Sequence, residues 1–172
     1  MAFIYKSLIK NLGNLIPLIL LYFLSFSEID THFSNMFEIL SFNIQLIIIY
    51  YWVLKKSTVL GNGHIFLAGI INDVVMGLPL GVSAISYLVV TFIASYIKNV
   101  TVNNTIFTDW FTFFIAVFFS NIVFLIFIYN FTDFSVTYLE IFYNSFFTIL
   151  FFPFFWVVFN IYQTRIMYKQ DD

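Results

Sequence analysis

From Trp110 to Tyr129 the chain runs through Phe, Ile, Val and Leu without a single charge, and Asn121 is its one amide. A stretch this long and this apolar has few folding options. About 20 such residues match the hydrocarbon thickness of a bilayer as an α-helix, in which the backbone N–H and C=O groups satisfy one another inside the segment. The rest of the sequence repeats the pattern. Of 172 residues, 62% are hydrophobic and only 9% charged, whereas soluble domains carry roughly 25% charged residues. The expectation is an all-α polytopic membrane protein.

Apolar runs divided by polar or charged residues place spans at about 12–26, 39–54, 59–76, 80–97, 110–129 and 141–162, six helices in a single transmembrane domain over 1–172. In that arrangement Lys6, Lys10, Lys55, Lys56, Lys98, Arg165 and Lys169 fall on one side, and Glu28, Asp30, Glu38, Asp133 and Glu140 on the other. Basic residues stay in the cytoplasm, so both termini are expected there. Removing any one span would scatter the lysines over both faces. The first run also ends in a small-x-small pattern at Ser25 and Ser27, which suits a cleavable signal peptide. Retention is expected, because the later spans pair up with it. Pro17 and Pro153 are expected to kink their helices. Tyr50, Tyr51 and Trp52, beside Lys55 and Lys56, read as an aromatic belt at the membrane interface.

Conventional chemistry has little to work with. The chain has no cysteine and only two histidines, His32 and His64, and lacks a Gly-rich phosphate loop, an H-E-x-x-H pair and a nucleophile elbow. No basic patch suits nucleic acid. No catalytic residue, metal ligand or cofactor is assigned, and the chain is read as no enzyme. Asn72, Asn121, Asn144 and Asn160 are read as hydrogen-bond partners between helices, with ligation of an ion as the alternative, and His64 as a polar interface residue.

One stretch departs from lipid-compatible sequence. Gly69 to Gly81 reads GIINDVVMGLPLG, with Asp73 inside an apolar run and a Gly/Pro turn after it. The turn leaves only Gly77, Leu78 and Pro79 between the third and fourth spans, which predicts a tight antiparallel hairpin. A carboxylate in the membrane costs about 2.5–3.5 kcal/mol at a helix centre, and the end of a helix is the negative end of its dipole. Donors must therefore come from elsewhere. Gly61, Ile65, Gly69, Asp73 and Gly77 recur at every fourth position and form one stripe, open to a close neighbour. Ser83, Tyr87, Thr91 and Ser95 recur with the same spacing on the next helix. Packing the stripes together would let Asp73 accept from Ser83 or from the backbone amides opening the fourth helix. Three roles are open for Asp73: a clamp on the hairpin, a group facing a partner or substrate, and a proton or cation relay.

The pattern G-x-x-x-D-x-x-x-G-x-P-L-G, carried by Gly69, Asp73, Gly77, Pro79, Leu80 and Gly81 and followed by Ser83-Ala84-Ile85-Ser86, resembles the rod shape-determining protein MreD family. The motif match covers roughly 61–95. The resemblance implies a multi-pass subunit of the bacterial inner membrane. It implies a non-enzymatic scaffold of the cell-elongation machinery, organising lateral peptidoglycan synthesis through contacts with an MreC-like protein and, through it, MreB-, RodA- and penicillin-binding-protein-like partners. The alternative is the substrate-binding membrane subunit of a vitamin-type transporter, whose six-helix architecture is similar. In that case Asp73 and the Ser83/Tyr87/Thr91 stripe would line a pocket.

Overall fold

A computed structural model describes residues 2–27, 43–101, 105–131 and 138–168, with side chains from Gly13 onward except those of Asn14, Tyr138 and 166–168. The expectations resting on Glu28, Asp30, His32, Glu38, Asp133 and Lys169 lie outside the described residues, as do the side chains of Lys6 and Lys10. The described elements are helices: α1 Ala2–Phe26, α2 Ile44–Lys56, α3 Asn62–Val75, α4 Val82–Val100, α5 Ile106–Phe131 and α6 Tyr138–Tyr162. A π-helical turn, Gln163–Tyr168, prolongs α6.

The helices form a ring of five around one. α1 packs on α3, α3 on α4, α4 on α5 and α5 on α6, and the π turn closes the ring onto α1. Helix α2 occupies the centre, packed on α1, α4 and α6, and every residue from Gln45 to Leu54 is buried. This overturns the aromatic belt expected at Tyr50, Tyr51 and Trp52, which are at most 1% exposed. Their rings pack inside the bundle. Tyr50 meets Phe113 and Phe152 edge-on, and those two stack with centroids 4.3 Å apart. Aromatic residues beside a lysine suit either an interface or a core, and here five surrounding helices decide for the core. The aromatic exterior lies on the outer helices instead, at Phe92, Phe107, Phe111 and Tyr129.

Among the described residues three helices are long and apolar enough to cross a membrane: Val82–Val100, Ile106–Phe131 and Leu139–Arg165. The described apolar part of α1, Leu15–Phe26, is shorter. Helix α3 has 14 residues, about 21 Å at 1.5 Å per residue, against a hydrocarbon core of about 30 Å. Its ends explain its length. Gly61, in an extended conformation, opens it. At the other end the N–H of Leu78 donates to the carbonyl of Asp73 at 2.8 Å and that of Gly77 to Val74 at 3.4 Å. With Gly77 at φ 65°, this is the Schellman arrangement that stops a helix on a left-handed residue. Helices α1 and α6 continue through Pro17 and Pro153.

Candidate functional site: the Asp73 hairpin

The turn between α3 and α4 is built around one side chain. The expected connection of Gly77 to Pro79 is wider in the structure, because α3 ends at Val75 and α4 begins at Val82. Gly81 is the residue before α4, at φ 104°, a left-handed conformation that glycine adopts without a Cβ penalty. It has no side chain with which to cap the helix. Asp73 supplies the cap from the preceding helix. Its Oδ2 accepts from the N–H of Gly81 at 2.7 Å and its Oδ1 from the N–H of Ser83 at 2.8 Å. The carboxylate is wholly buried and sits at the positive end of the α4 dipole. One residue thus closes α3 with its carbonyl and opens α4 with its carboxylate.

Close packing brings the two helices within reach. A Cβ added at Gly69 would lie 2.3 Å from the Cα and 2.6 Å from the N of Ala84, so backbone touches backbone one turn before Asp73. Of the motif, Gly69 and Asp73 are buried, Pro79 and Gly81 half-buried, and Gly77 and Leu80 exposed. Leu80 and Met76 are 70% and 53% exposed, which makes the tip of the turn an apolar surface.

The stripe on α4 divides. Ser83 gives Asp73 its backbone N–H, while its hydroxyl accepts from Asn72 Nδ2 at 3.1 Å. Tyr87 donates its hydroxyl to Gln45 Oε1, and Thr91 donates to the carbonyl of Tyr87 in its own helix at 2.8 Å. Ser95 is half-buried three turns from the carboxylate. Ser83 is therefore the stripe residue brought to Asp73. An apolar groove between α4 and α5, lined by Ile85, Leu88, Val89, Phe92, Phe119 and Val123 among others, includes none of the stripe residues.

Two features were not legible in the residue pattern. The first is Gln45 on the central helix. Its Nε2 donates to Asn72 Oδ1 at 3.2 Å and to Ser25 Oγ at 3.4 Å, and its Oε1 accepts from Tyr87. One amide so links α1, α2, α3 and α4. Ser25, read as part of a small-x-small pattern, is 1% exposed within this network. The second is Asp109, in the first turn of α5 and completely buried. Its Oδ2 accepts from Lys55 Nζ at 2.7 Å and from Trp156 Nε1 at 2.9 Å. An acid at the edge of an apolar run, beside the lysine-rich end, was the available signal.

Asn121 and His64 each meet a partner on a neighbouring helix, and the Asn144 amide oxygen accepts from Thr148 in its own helix at 3.5 Å. Asn121 Nδ2 donates to Ser145 Oγ at 2.6 Å, joining α5 to α6. Tyr22 on α1 and exposed His64 on α3 share a hydrogen bond of 3.1 Å. Among the described residues no group of three or more His, Cys, Asp or Glu is placed to hold a metal ion.

A buried polar network inside a helical bundle clad in aromatic side chains defines a helical membrane protein whose turn motif is an internal cap. Residues 9–162 match the family model of the rod shape-determining protein MreD, and the chain belongs to that family. Searches of curated proteins and of solved structures return no match.

Proposed function

We propose that this chain is a non-enzymatic scaffold subunit of the cell-shape machinery, which organises lateral peptidoglycan synthesis through contacts with other membrane proteins. The family match over 9–162 carries the reading. The hairpin supports it in a specific way. Asp73 accepts from the N–H groups of Gly81 and Ser83, the Ser83 hydroxyl accepts from Asn72, Tyr87 donates to Gln45 and Thr91 donates to the carbonyl of Tyr87. Of the groups that a transporter would aim at its substrate, Asp73, Ser83 and Tyr87 are engaged in holding helices together, and Thr91 turns back on its own helix. What the hairpin offers outward is the apolar tip at Met76 and Leu80, which suits a lateral helix of an MreC-like partner and, through it, MreB-, RodA- and penicillin-binding-protein-like components.

In this reading the chain is one transmembrane unit of the bacterial inner membrane, crossing six times with both termini in the cytoplasm. Helix α3 would cross together with its flanking buried Val59 and Leu60 and the turn at Met76. Depletion in the rod-shaped parent cell is expected to give round cells within a few generations. A nutrient requirement with rod shape intact would replace the scaffold reading with the transport one.

A further inference from the structure

Helix α6 is held differently from the other long helices. Only 11% of its span is buried, against 44% for α4, and Phe146, Leu150 and Phe154 on it are each more than half exposed. Its inner face touches aromatic rings of α2 and α5. In lipid such apolar contacts have no hydrophobic driving force, because acyl chains are as apolar as the rings they would replace. Polar contacts therefore weigh more in seating it. Neutral hydrogen bonds tie it to α2 and α5, from the N–H of Asn43 to Thr148, Tyr51 to Gln163, Trp110 to the carbonyl of Ile149 and Asn121 to Ser145. Stronger in kind than these is the cluster of Lys55 on α2, Asp109 on α5 and Trp156 on α6. Asp109 Oδ2 takes both the lysine, at 2.7 Å, and the indole N–H, at 2.9 Å, and Lys55 Nζ stands 5.5 Å from the centre of the Trp156 ring. A charge-assisted hydrogen bond and a cation–π contact thus converge on one side chain of α6.

The cluster is also incompletely satisfied. Among the described residues Asp109 Oδ1 has no hydrogen-bond partner although it is fully buried, and such an atom carries a desolvation cost that opening to water relieves. Lys55 is 18% exposed, so the cluster lies one side chain from solvent.

We propose that Lys55, Asp109 and Trp156 form a latch, and that α6 is the movable helix of this bundle, released from α2 and α5 when the latch opens while the α3/α4 hairpin stays folded. The aromatic face of α2 at Tyr50, Tyr51 and Trp52 would then meet lipid or a partner helix in its place.

The chain has no cysteine, so paired spin labels read the movement directly in the full chain reconstituted in lipid nanodiscs. One pair, Tyr96→Cys with Ile161→Cys, spans α4 and α6 at exposed sites. The other, Leu67→Cys with Phe92→Cys, spans the hairpin. Lys55→Met leaves a buried carboxylate without its counter-charge and is expected to raise the long-distance population of the first pair by at least about tenfold, with the second pair unchanged. Lys55→Met with Asp109→Asn removes both charges but keeps an acceptor for the Trp156 N–H, and is expected to fall between Lys55→Met and the parent. Trp156→Phe, which buries no new charge, is expected to broaden the first pair to a lesser degree and decides the matter alone if Lys55→Met fails to accumulate. An unchanged first pair in Trp156→Phe, both pairs broadening together, or a double variant as closed as the parent would each overturn the latch.

Discussion

Asp73 is charged for by its surroundings twice over, once as the acceptor that ends α3 and once as the cap that begins α4. Its two carboxylate oxygens meet two backbone N–H groups that no side chain of Gly81 can satisfy. Asp73→Ala would leave both donors unpaired in a water-poor site, at a cost of about 2–4 kcal/mol. Asp73→Asn keeps one acceptor oxygen but turns an NH₂ toward the second donor, so it should fall about midway. Thermal midpoints of purified protein in detergent rank the three. An Asp73→Asn protein as stable as the parent yet unable to maintain rod shape would instead assign the carboxylate an outward role. That an acid lay in the membrane, followed by a turn, was readable from residue identity. The helical spacing also pointed to Ser83 or the amides opening α4 as its donors; that it meets the backbone N–H groups of Gly81 and Ser83, and not the Ser83 hydroxyl, follows from the turn geometry, with Gly77 and Gly81 at left-handed angles.

At the scale of elements, the α3/α4 hairpin depends on Gly69. The closest atoms to an added Cβ there are the Cα and N of Ala84, and backbone cannot move aside as a flexible side chain can. Gly69→Ala is expected to lower stability by about 1–3 kcal/mol, and Ala84→Gly should fail to rescue it because the clash is with backbone. Gly63, in the same helix, has nothing within 4 Å of an added Cβ. Gly63→Ala should be neutral or stabilising by up to about 1 kcal/mol. Parallel melting curves of the two alanine variants check the contrast; equal effects would mean that helix propensity, and not close approach, governs the hairpin. The every-fourth-residue stripe pointed to this face of α3. It did not distinguish Gly69, which needs to be glycine for space, from Gly61 in the same stripe, which does not.

Across the whole molecule, the basic residues that the structure describes gather at one end. Lys98 Nζ donates to Ser57 Oγ at 2.7 Å, and Lys55 pairs with Asp109, so the end of α2, the end of α4 and the start of α5 meet there. The Asp73 turn lies at the far end of α3 and α4. Because excess Lys and Arg orient a membrane protein, reporters fused after Lys56 and after Lys98 are expected to be cytoplasmic. A periplasmic signal at either position would exclude the six-span topology. The sequence by itself determined that the chain is helical and membrane-bound, because runs of uncharged residues permit only structures that satisfy their own backbone. It also marked the hairpin, because an acid, two glycines and a proline there break the apolar pattern. Only the tertiary structure decided that α2 is the centre, that Gln45 joins four helices and that Lys55, Asp109 and Trp156 meet. The reason is physical: in lipid a buried helix and an exposed one can be equally apolar, so hydropathy does not say which goes inside, and the choice falls to packing and to a few polar contacts made between segments far apart in the chain.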